Sequence, residues 1–142
     1  MKKIILISCV SKKRTEKSAA KDMYISPLFE KNLAFARSQN PDAIFILSAK
    51  YGLLALDKVI EPYDQTLNTM PVAQIKAWAT TVLQQLARQT DLQQDQFVFL
   101  AGEKYRKYLL SHIQHFQVPL IGLPIGKQLQ YLTRVNNERN ML

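Results

Sequence analysis

The sequence predicts an α/β fold, a three-layer sandwich in which a four-stranded, mainly parallel sheet lies between helices. The first observation is a series of short apolar runs without polar alternation, which is typical of strands covered on both faces. The second is the set of amphipathic segments that separate these runs. The predicted strands are Lys3 to Ser8, Asp42 to Ser48, Gln96 to Ala101 and the shorter Val118 to Leu123.

Four helices are predicted from apolar residues that recur about every 3.6 residues. The first begins at Ser26-Pro27, an N-cap followed by proline at the first helical position, and turns Phe29, Leu33 and Ala36 inward. The others run from the residue after Met70-Pro71 to about Thr90, from Glu103 to about Phe116, and from Gly126 onward. Because strands and helices alternate, we expect right-handed crossovers between parallel strands.

The chain has 142 residues, a length suited to one domain, which we expect to span 1–142. Its single cysteine, Cys9, excludes an internal disulfide and suits a reducing cytoplasm. No apolar stretch approaches the roughly 20 residues of a membrane span. The run Ile4 to Ile7 is too short for a signal peptide. We therefore expect a cytoplasmic protein with no membrane partner.

The formal net charge is +8, which is large for this length. Such a charge predicts an anionic partner: a nucleic acid, a nucleotide or an acidic surface. Solubility alone is an equally weighted explanation, since small domains commonly carry a net charge of magnitude roughly 2–8. The sequence leaves the oligomeric state open.

Two long connections follow the first two predicted strands, at residues 9–25 and 49–70. Ligands of open α/β sheets bind outside the carboxyl ends of the strands, and connections this long are often functional. The first is basic enough to face phosphate, with Ser26 adding a helix N-terminus. Its candidate binding residues are Cys9, Ser11, Lys12, Lys13, Arg14, Tyr24 and Ser26. Cys9 is either a nucleophile or, more often for this residue type, a small buried side chain.

The second connection pairs aromatic rings with a carboxylate. Tyr51 and Tyr63 can stack a planar base or pack beneath the connection, and Asp64 can hold a water or a sugar cation or serve as a turn residue. Gly52 permits a turn with positive φ, and Pro62 stiffens the segment. The candidates are Ser48, Lys50, Tyr51, Gly52, Glu61, Tyr63 and Asp64.

Weaker signals follow the third and fourth predicted strands. Gly102, Glu103 and Lys104 form one strand-to-helix turn, and Gly126 lies in another, without the spacing of a phosphate-binding loop. His112 and His115 are predicted three residues apart on one helix with no companion ligand. We therefore expect neither a metal nor another cofactor.

The strings SAKYGLL and IEPYDQTL, with SCVSKKR and YISPLF near the start, resemble domain-of-unknown-function family 6884 over most of the chain. That family is distantly similar to the core domain of archaeosine synthase. The resemblance implies comparable places for Cys9, for Lys12 or Lys13, for Tyr24 and for Ser26. Both groups resemble the uracil-DNA glycosylase superfamily in their β-α order, so the implied fold is uracil-DNA-glycosylase-like.

The resemblance and the site candidates together predict a hydrolase for nucleic-acid or nucleotide bases that acts at an N-glycosidic bond. Asp64 would stabilise the sugar cation, Tyr63 or Tyr51 would stack the base, and Ser48 would help hold the substrate. One alternative is a non-catalytic module that binds nucleic acid or nucleotide, as a phage or defence factor. Another is a protein-interaction role, although such a role would not need a basic segment beside a Tyr-Asp pair.

Overall fold

The computed structural model describes residues 1–8 and 12–140, with backbone alone at 139 and 140. Its elements begin with β1 (Lys3–Ser8), β2 (Ser18–Ala19), α1 (Ala20–Met23), α2 (Pro27–Ser38), β3 (Ala43–Ser48), β4 (Gly52–Ala55) and β5 (Val59–Ile60). After a short 3₁₀ turn at Leu67–Thr69 come α3 (Val72–Ala87), β6 (Gln96–Leu100), α4 (Glu103–Leu110), β7 (His115–Gln117) and α5 (Ile125–Asn140). The fold is therefore mixed α/β.

The main sheet has five strands in the order β4-β3-β1-β6-β7. Strands β3, β1, β6 and β7 are parallel, whereas β4 returns antiparallel to β3 and pairs Ser48 with Gly52. The expectation of a four-stranded, mainly parallel sheet is thus corrected to a five-stranded mixed sheet. The physical reason is a tight turn after Ser48, at which Gly52 adopts φ 74° and sends the chain back along β3.

The fourth strand was placed wrongly by the apolar run from Val118 to Leu123. The strand is β7, three residues earlier, and residues 119–122 form turns. Pro119 has no N–H to donate to a ladder, while Gly122 at φ 78° turns the chain. The apolar side chains of this segment line a cavity. The predicted third helix also ends earlier, at Leu110, because the chain turns at residues 111 and 112 and His115 begins β7. His112 and His115 therefore do not share a helix.

Helices cover the sheet in two contacting pairs, α2 with α5 and α3 with α4. Consecutive residues Ile4, Ile5, Leu6 and Ile7 of the central strand are all at most 1% exposed, so both faces of β1 are covered. Ser26 caps α2 by accepting a hydrogen bond from the Phe29 N–H at 3.2 Å, and Pro27 begins the helix, as predicted. Phe29, Leu33 and Ala36 are buried, as expected from their spacing.

The two predicted long loops contain secondary structure of their own. β2 from the first pairs antiparallel with β5 from the second, and Lys13 forms an isolated bridge with Tyr24. Lys21 also forms a 3.3 Å ion pair with Asp57 across the two connections. Residues distant in sequence are thereby held together at the carboxyl edge of the sheet.

At the opposite edge of the sheet, where the parallel strands begin, Asp95 is buried. Its carboxylate accepts 2.8 Å hydrogen bonds from the backbone N–H groups of Asp91 and Lys2, and these bonds lower the pKa of Asp95. The carboxyl edge is where the cavities lie.

Candidate functional site

A buried network of hydroxyl groups lies beneath the segment that carries Asp64. Ser48 Oγ donates to Tyr63 Oη at 2.8 Å, and the hydroxyls of Tyr63 and Tyr24 are 2.7 Å apart. The backbone N–H of Tyr51 donates to Ser48 Oγ, and the indole N–H of Trp78 donates to the Ser48 carbonyl at 2.8 Å. Ser48 is 0% exposed and Tyr63 only 7%, so this network fixes the backbone at Tyr63.

The other side of the Asp64 segment is held by α4. The backbone N–H of Leu67 donates to Tyr105 Oη at 3.4 Å, and Lys104 Nζ donates to the Asn68 carbonyl at 3.0 Å. The Tyr105 ring packs edge-on against Trp78, with centroids 5.7 Å apart. Asp64 is therefore an exposed residue between two anchored points.

Asp64 faces a cavity of about 590 Å³, which we call the Asp64 cavity. Among its described lining residues Asp64 is the one carboxylate, with Lys13, Ser26, Thr66 and Asn68 as its polar companions. Pro27, Leu28, Ile125 and Leu129 supply apolar walls. The arrangement places one negative charge near one positive charge beside surface that suits a planar, partly apolar ligand.

A smaller cavity of about 380 Å³, the rim cavity, lies on the other side of Asp64 and Lys13. Arg14, Thr15, Pro62 and Tyr63 complete its lining. Lys13 Nζ lies 4.6 Å from the Tyr63 ring centroid and 6.0 Å from that of Tyr24, which is a cation–π arrangement. The buried rings thus orient the lysine that two cavities share.

A third cavity, the crevice cavity, has a volume of about 280 Å³ and lies at the carboxyl ends of β1 and β6. These two strands are neighbours, but the chain leaves β1 toward β3 and leaves β6 toward β7. Such a divergence is the topological switch point at which open α/β sheets bind ligands. Ser8 and Gly102 lie at its floor, where the Gly102 N–H donates to Ser8 Oγ at 3.1 Å.

The structure brings several sequence-predicted residues into this group of cavities. They are Lys13, Arg14, Ser26, Tyr63, Asp64, Gly102 and Glu103. Ser48 and Tyr24 lie below, in the hydroxyl network. Because Tyr63 is buried between Tyr24, Tyr51 and Lys13, its ring has little free surface on which a base could stack.

The remaining candidates are not among the residues that line these cavities. Lys12, Lys50, Tyr51, Gly52, Glu61, Lys104 and Gly126 line none of the three cavities described above. Tyr51 instead braces the chain, because its hydroxyl accepts a 3.3 Å hydrogen bond from the Glu61 N–H. Cys9 and Ser11 lie outside the described residues.

Sequence reasoning missed Asn32, a buried residue of α2 that lines the crevice cavity. A signal was present: Phe29, Asn32, Leu33 and Ala36 occupy the positions of one apolar helical face, and Asn32 is the polar exception. Thr66, Asn68, Arg106 and Gln128 were also missed, because only the tertiary fold brings them to the cavities.

Over residues 1–8 and 12–140, no group of three or more His, Cys, Asp or Glu side chains could hold a metal ion. In the same portion of the chain, none of the helices has the length and apolar character needed to cross a membrane.

Comparison with known proteins gives one family match. The model of DUF6884, described as a family of unknown function, matches residues 4–134. No curated protein and no solved structure matches the chain.

Proposed function

The chain belongs to DUF6884, a family of unknown function, and from its own residues we propose that it hydrolyses N-glycosidic bonds in nucleic acid or nucleotides. The observation that carries the proposal is the position of Asp64. It is an exposed carboxylate between two anchored points, shares two cavities with Lys13, and lies beside an apolar wall. An anion on an anchored segment, beside space for a sugar and a base, suits this reaction.

In the proposed reaction the bond between C1′ of the sugar and the base nitrogen breaks, and its electron pair leaves with the base. The Asp64 carboxylate stabilises the oxocarbenium-like sugar and orients the water that attacks C1′. Of the two protons of that water, one remains on the new C1′ hydroxyl and the other passes through Asp64 to the departing base. The products are a free base and a sugar that carries a hydroxyl at C1′.

In this proposal Tyr63 and Ser48 position Asp64 and do not contact the substrate. Both are buried, and their hydrogen bond fixes the residue immediately before Asp64. A carboxylate on an anchored segment loses less freedom when the transition state forms than one on an unanchored segment, which is the advantage of preorganised charge.

The basic residues next to Asp64 supply the grip on the substrate. Lys13 and Arg14 line the rim cavity, and Lys12 and Lys17 are exposed residues of the same segment of the chain. Cations in this position would pair with the phosphates that flank the target nucleotide and make binding sensitive to salt. A duplex substrate would have to present its target base flipped out of the stack.

We extend the proposal to the fold and the location. Coverage of both faces of β1, with α2 against α5 and α3 against α4, supports a three-layer sandwich of the uracil-DNA-glycosylase type and a distant likeness to the archaeosine synthase core. The single cysteine supports a cytoplasmic location.

The test is release of free base. Purified protein would be incubated with single- and double-stranded oligonucleotides that carry normal, deaminated or alkylated bases, and with nucleotides, and released bases would be measured by mass spectrometry. We expect Asp64→Asn to reduce release by about 10²–10³-fold. Asp57→Asn is the matched control, because Asp57 is an exposed aspartate that pairs with Lys21 and lines none of the three cavities. Equal loss in both variants, or full activity in Asp64→Asn, would exclude this role for Asp64.

The exposure of the basic residues beside the rim cavity also favours a second function, a nucleic-acid or nucleotide binding module without catalysis. The same panel separates the two functions. Salt-sensitive binding with no base released from any substrate would establish the module and remove the hydrolase.

A further inference from the structure

Asn32 has a buried amide oxygen with no hydrogen-bond partner in the part of the chain that the structure describes. The residue is 3% exposed and lies on α2, where it lines the crevice cavity. A buried polar atom left unpaired destabilises the folded state, so such atoms are rare and call for an explanation. A ligand that donates a hydrogen bond to Asn32 inside the cavity would provide it.

The lining of the crevice cavity favours a neutral, planar ligand. Apolar side chains dominate its walls, including Phe99, Leu120 and Leu123. The lining holds one carboxylate, Glu103, and one guanidinium, Arg106, which donates to the Ala101 carbonyl at 2.8 Å, so it carries no net positive charge that would favour an anion. The remaining polar side chains are the amides of Asn32 and Gln128 and the hydroxyl of Ser8. Gln128 donates to the Leu123 carbonyl at 2.8 Å, while the Ser8 hydroxyl accepts from Gly102 and keeps its own proton to donate.

An asparagine amide presents an acceptor and a donor side by side. Nucleobases present the complementary pair, an N–H next to a carbonyl or ring nitrogen, along one edge of a flat ring. Apolar walls can cover the two faces of such a ring while Asn32 holds its edge. Metal ions, phosphates and aliphatic ligands lack this combination of groups.

The crevice cavity adjoins the Asp64 cavity, because Leu28 and Ile125 line both. A base in the crevice cavity would therefore direct its sugar toward Asp64. We propose that the crevice cavity is the base-recognition pocket and that Asn32 binds the base edge by hydrogen bonds. That the ligand is a base rests on the proposed function. Binding of the base can nevertheless be measured without any catalytic turnover.

The experiment is calorimetric titration of the intact protein with six free bases: adenine, guanine, hypoxanthine, cytosine, uracil and thymine. We expect at least one of them to bind, and Asn32→Leu to weaken its binding about 10- to 100-fold. Asn136→Leu is the matched control: its amide oxygen is also unpaired, but it lies on α5, donates to the Lys31 carbonyl and does not line the cavity. Binding in that variant should equal binding in the parent.

Thermal unfolding separates recognition from structure. Because leucine removes an unpaired buried oxygen, Asn32→Leu should match or exceed the parent in Tm while losing the base. If that variant fails to fold, amide chemical shifts of the parent decide: perturbation of Ala101, Gly102 and Gly122 supports the pocket, and perturbation confined to Lys13 and Thr66 overturns it. The absence of binding by all six bases, or equal binding by Asn32→Leu, also overturns it.

The two proposals fail separately. Loss of base binding in Asn32→Leu together with no glycosidic cleavage by the parent would keep the pocket and remove the hydrolase. Cleavage that depends on Asp64 but is unchanged in Asn32→Leu would keep the hydrolase and remove this pocket.

Discussion

Tyr63 and Asp64 are adjacent in sequence, yet the fold gives them opposite environments. The phenol of Tyr63 is buried among Tyr24, Tyr51 and Lys13, while the carboxylate of Asp64 is exposed at the junction of two cavities. Pro62 favours extended geometry at the preceding residue, and in extended backbone successive side chains point to opposite sides, which is consistent with the contrast. The pair thus combines an anchor with the group that the anchor positions.

Replacing Tyr63 by phenylalanine tests the anchor. The change keeps the ring but removes the hydroxyl that accepts from Ser48 Oγ at 2.8 Å. An unpaired buried hydroxyl should lower the free energy of unfolding by about 1–3 kcal/mol, measured by urea denaturation. Tyr108→Phe is the control, because the Tyr108 hydroxyl makes no hydrogen bond within the described residues. Equal stability of Tyr63→Phe and the parent would show that the network contributes nothing.

Residue types alone could indicate Asp64 and the basic segment as parts of the candidate site. They could not show that Ser48 and Tyr63 lie in the buried network beneath it. The hydroxyl groups of serine and tyrosine can donate and accept hydrogen bonds both in a buried network and in a substrate site. For Asn32, the sequence showed a polar residue on an apolar helical face. It could not show that the amide oxygen is unpaired, because that depends on the packing of α2 against the sheet.

At the scale of the elements, the strands buried on both faces were predictable, since β1, β3 and β6 each coincide with a continuous apolar run. The start of α2 was equally clear from Ser26-Pro27. The edge strands were not predictable. β7 is a three-residue strand that is exposed throughout and has no apolar run, and the four residues of β4 lie within the connection predicted at 49–70. The pairing of β2 with β5 joins two-residue strands, which no periodicity can indicate.

The β3–β4 hairpin depends on Gly52, and its replacement gives an element-scale prediction. At φ 74° a side chain is strained, and a Cβ at this position would lie 2.5 Å from Gln85 Oε1, which accepts from the Leu53 N–H. Gly52→Ala should lower the free energy of unfolding by about 1–2 kcal/mol in urea denaturation, and by more if Gln85 is displaced.

Gly126→Ala is the matched change with the opposite expected sign. Gly126 lies in the first turn of α5, and a Cβ there would have no neighbour within 4 Å. Alanine should stabilise the helix by up to about 1 kcal/mol. Destabilisation by Gly126→Ala, or stabilisation by Gly52→Ala, would contradict the backbone geometry described for these positions.

At the scale of the whole molecule, the fold determines which edge of the sheet carries the basic residues behind the net charge of +8. In the segment 12–17, Lys13 and Arg14 line cavities at the carboxyl edge of the sheet, and Lys12 and Lys17 are exposed. The amino edge carries basic residues too, such as Arg37 in the last turn of α2 and Arg88 at the end of α3. If binding depends on net charge alone, basic residues at either edge contribute equally. If the binding site lies at the carboxyl edge, only the basic residues of that edge contribute.

Salt dependence of nucleic-acid binding makes that distinction. Affinity for a single-stranded oligonucleotide, measured by fluorescence anisotropy over a series of salt concentrations, should fall linearly with salt on logarithmic axes. In Lys12→Gln/Arg14→Gln the magnitude of this slope should fall by about 0.7 for each phosphate that the protein no longer neutralises. Arg37→Gln/Arg88→Gln removes the same charge from exposed side chains at the amino edge and should leave the slope nearly unchanged. Equal changes in both variants would mean that the net charge, and not the carboxyl-edge surface, attracts the polyanion.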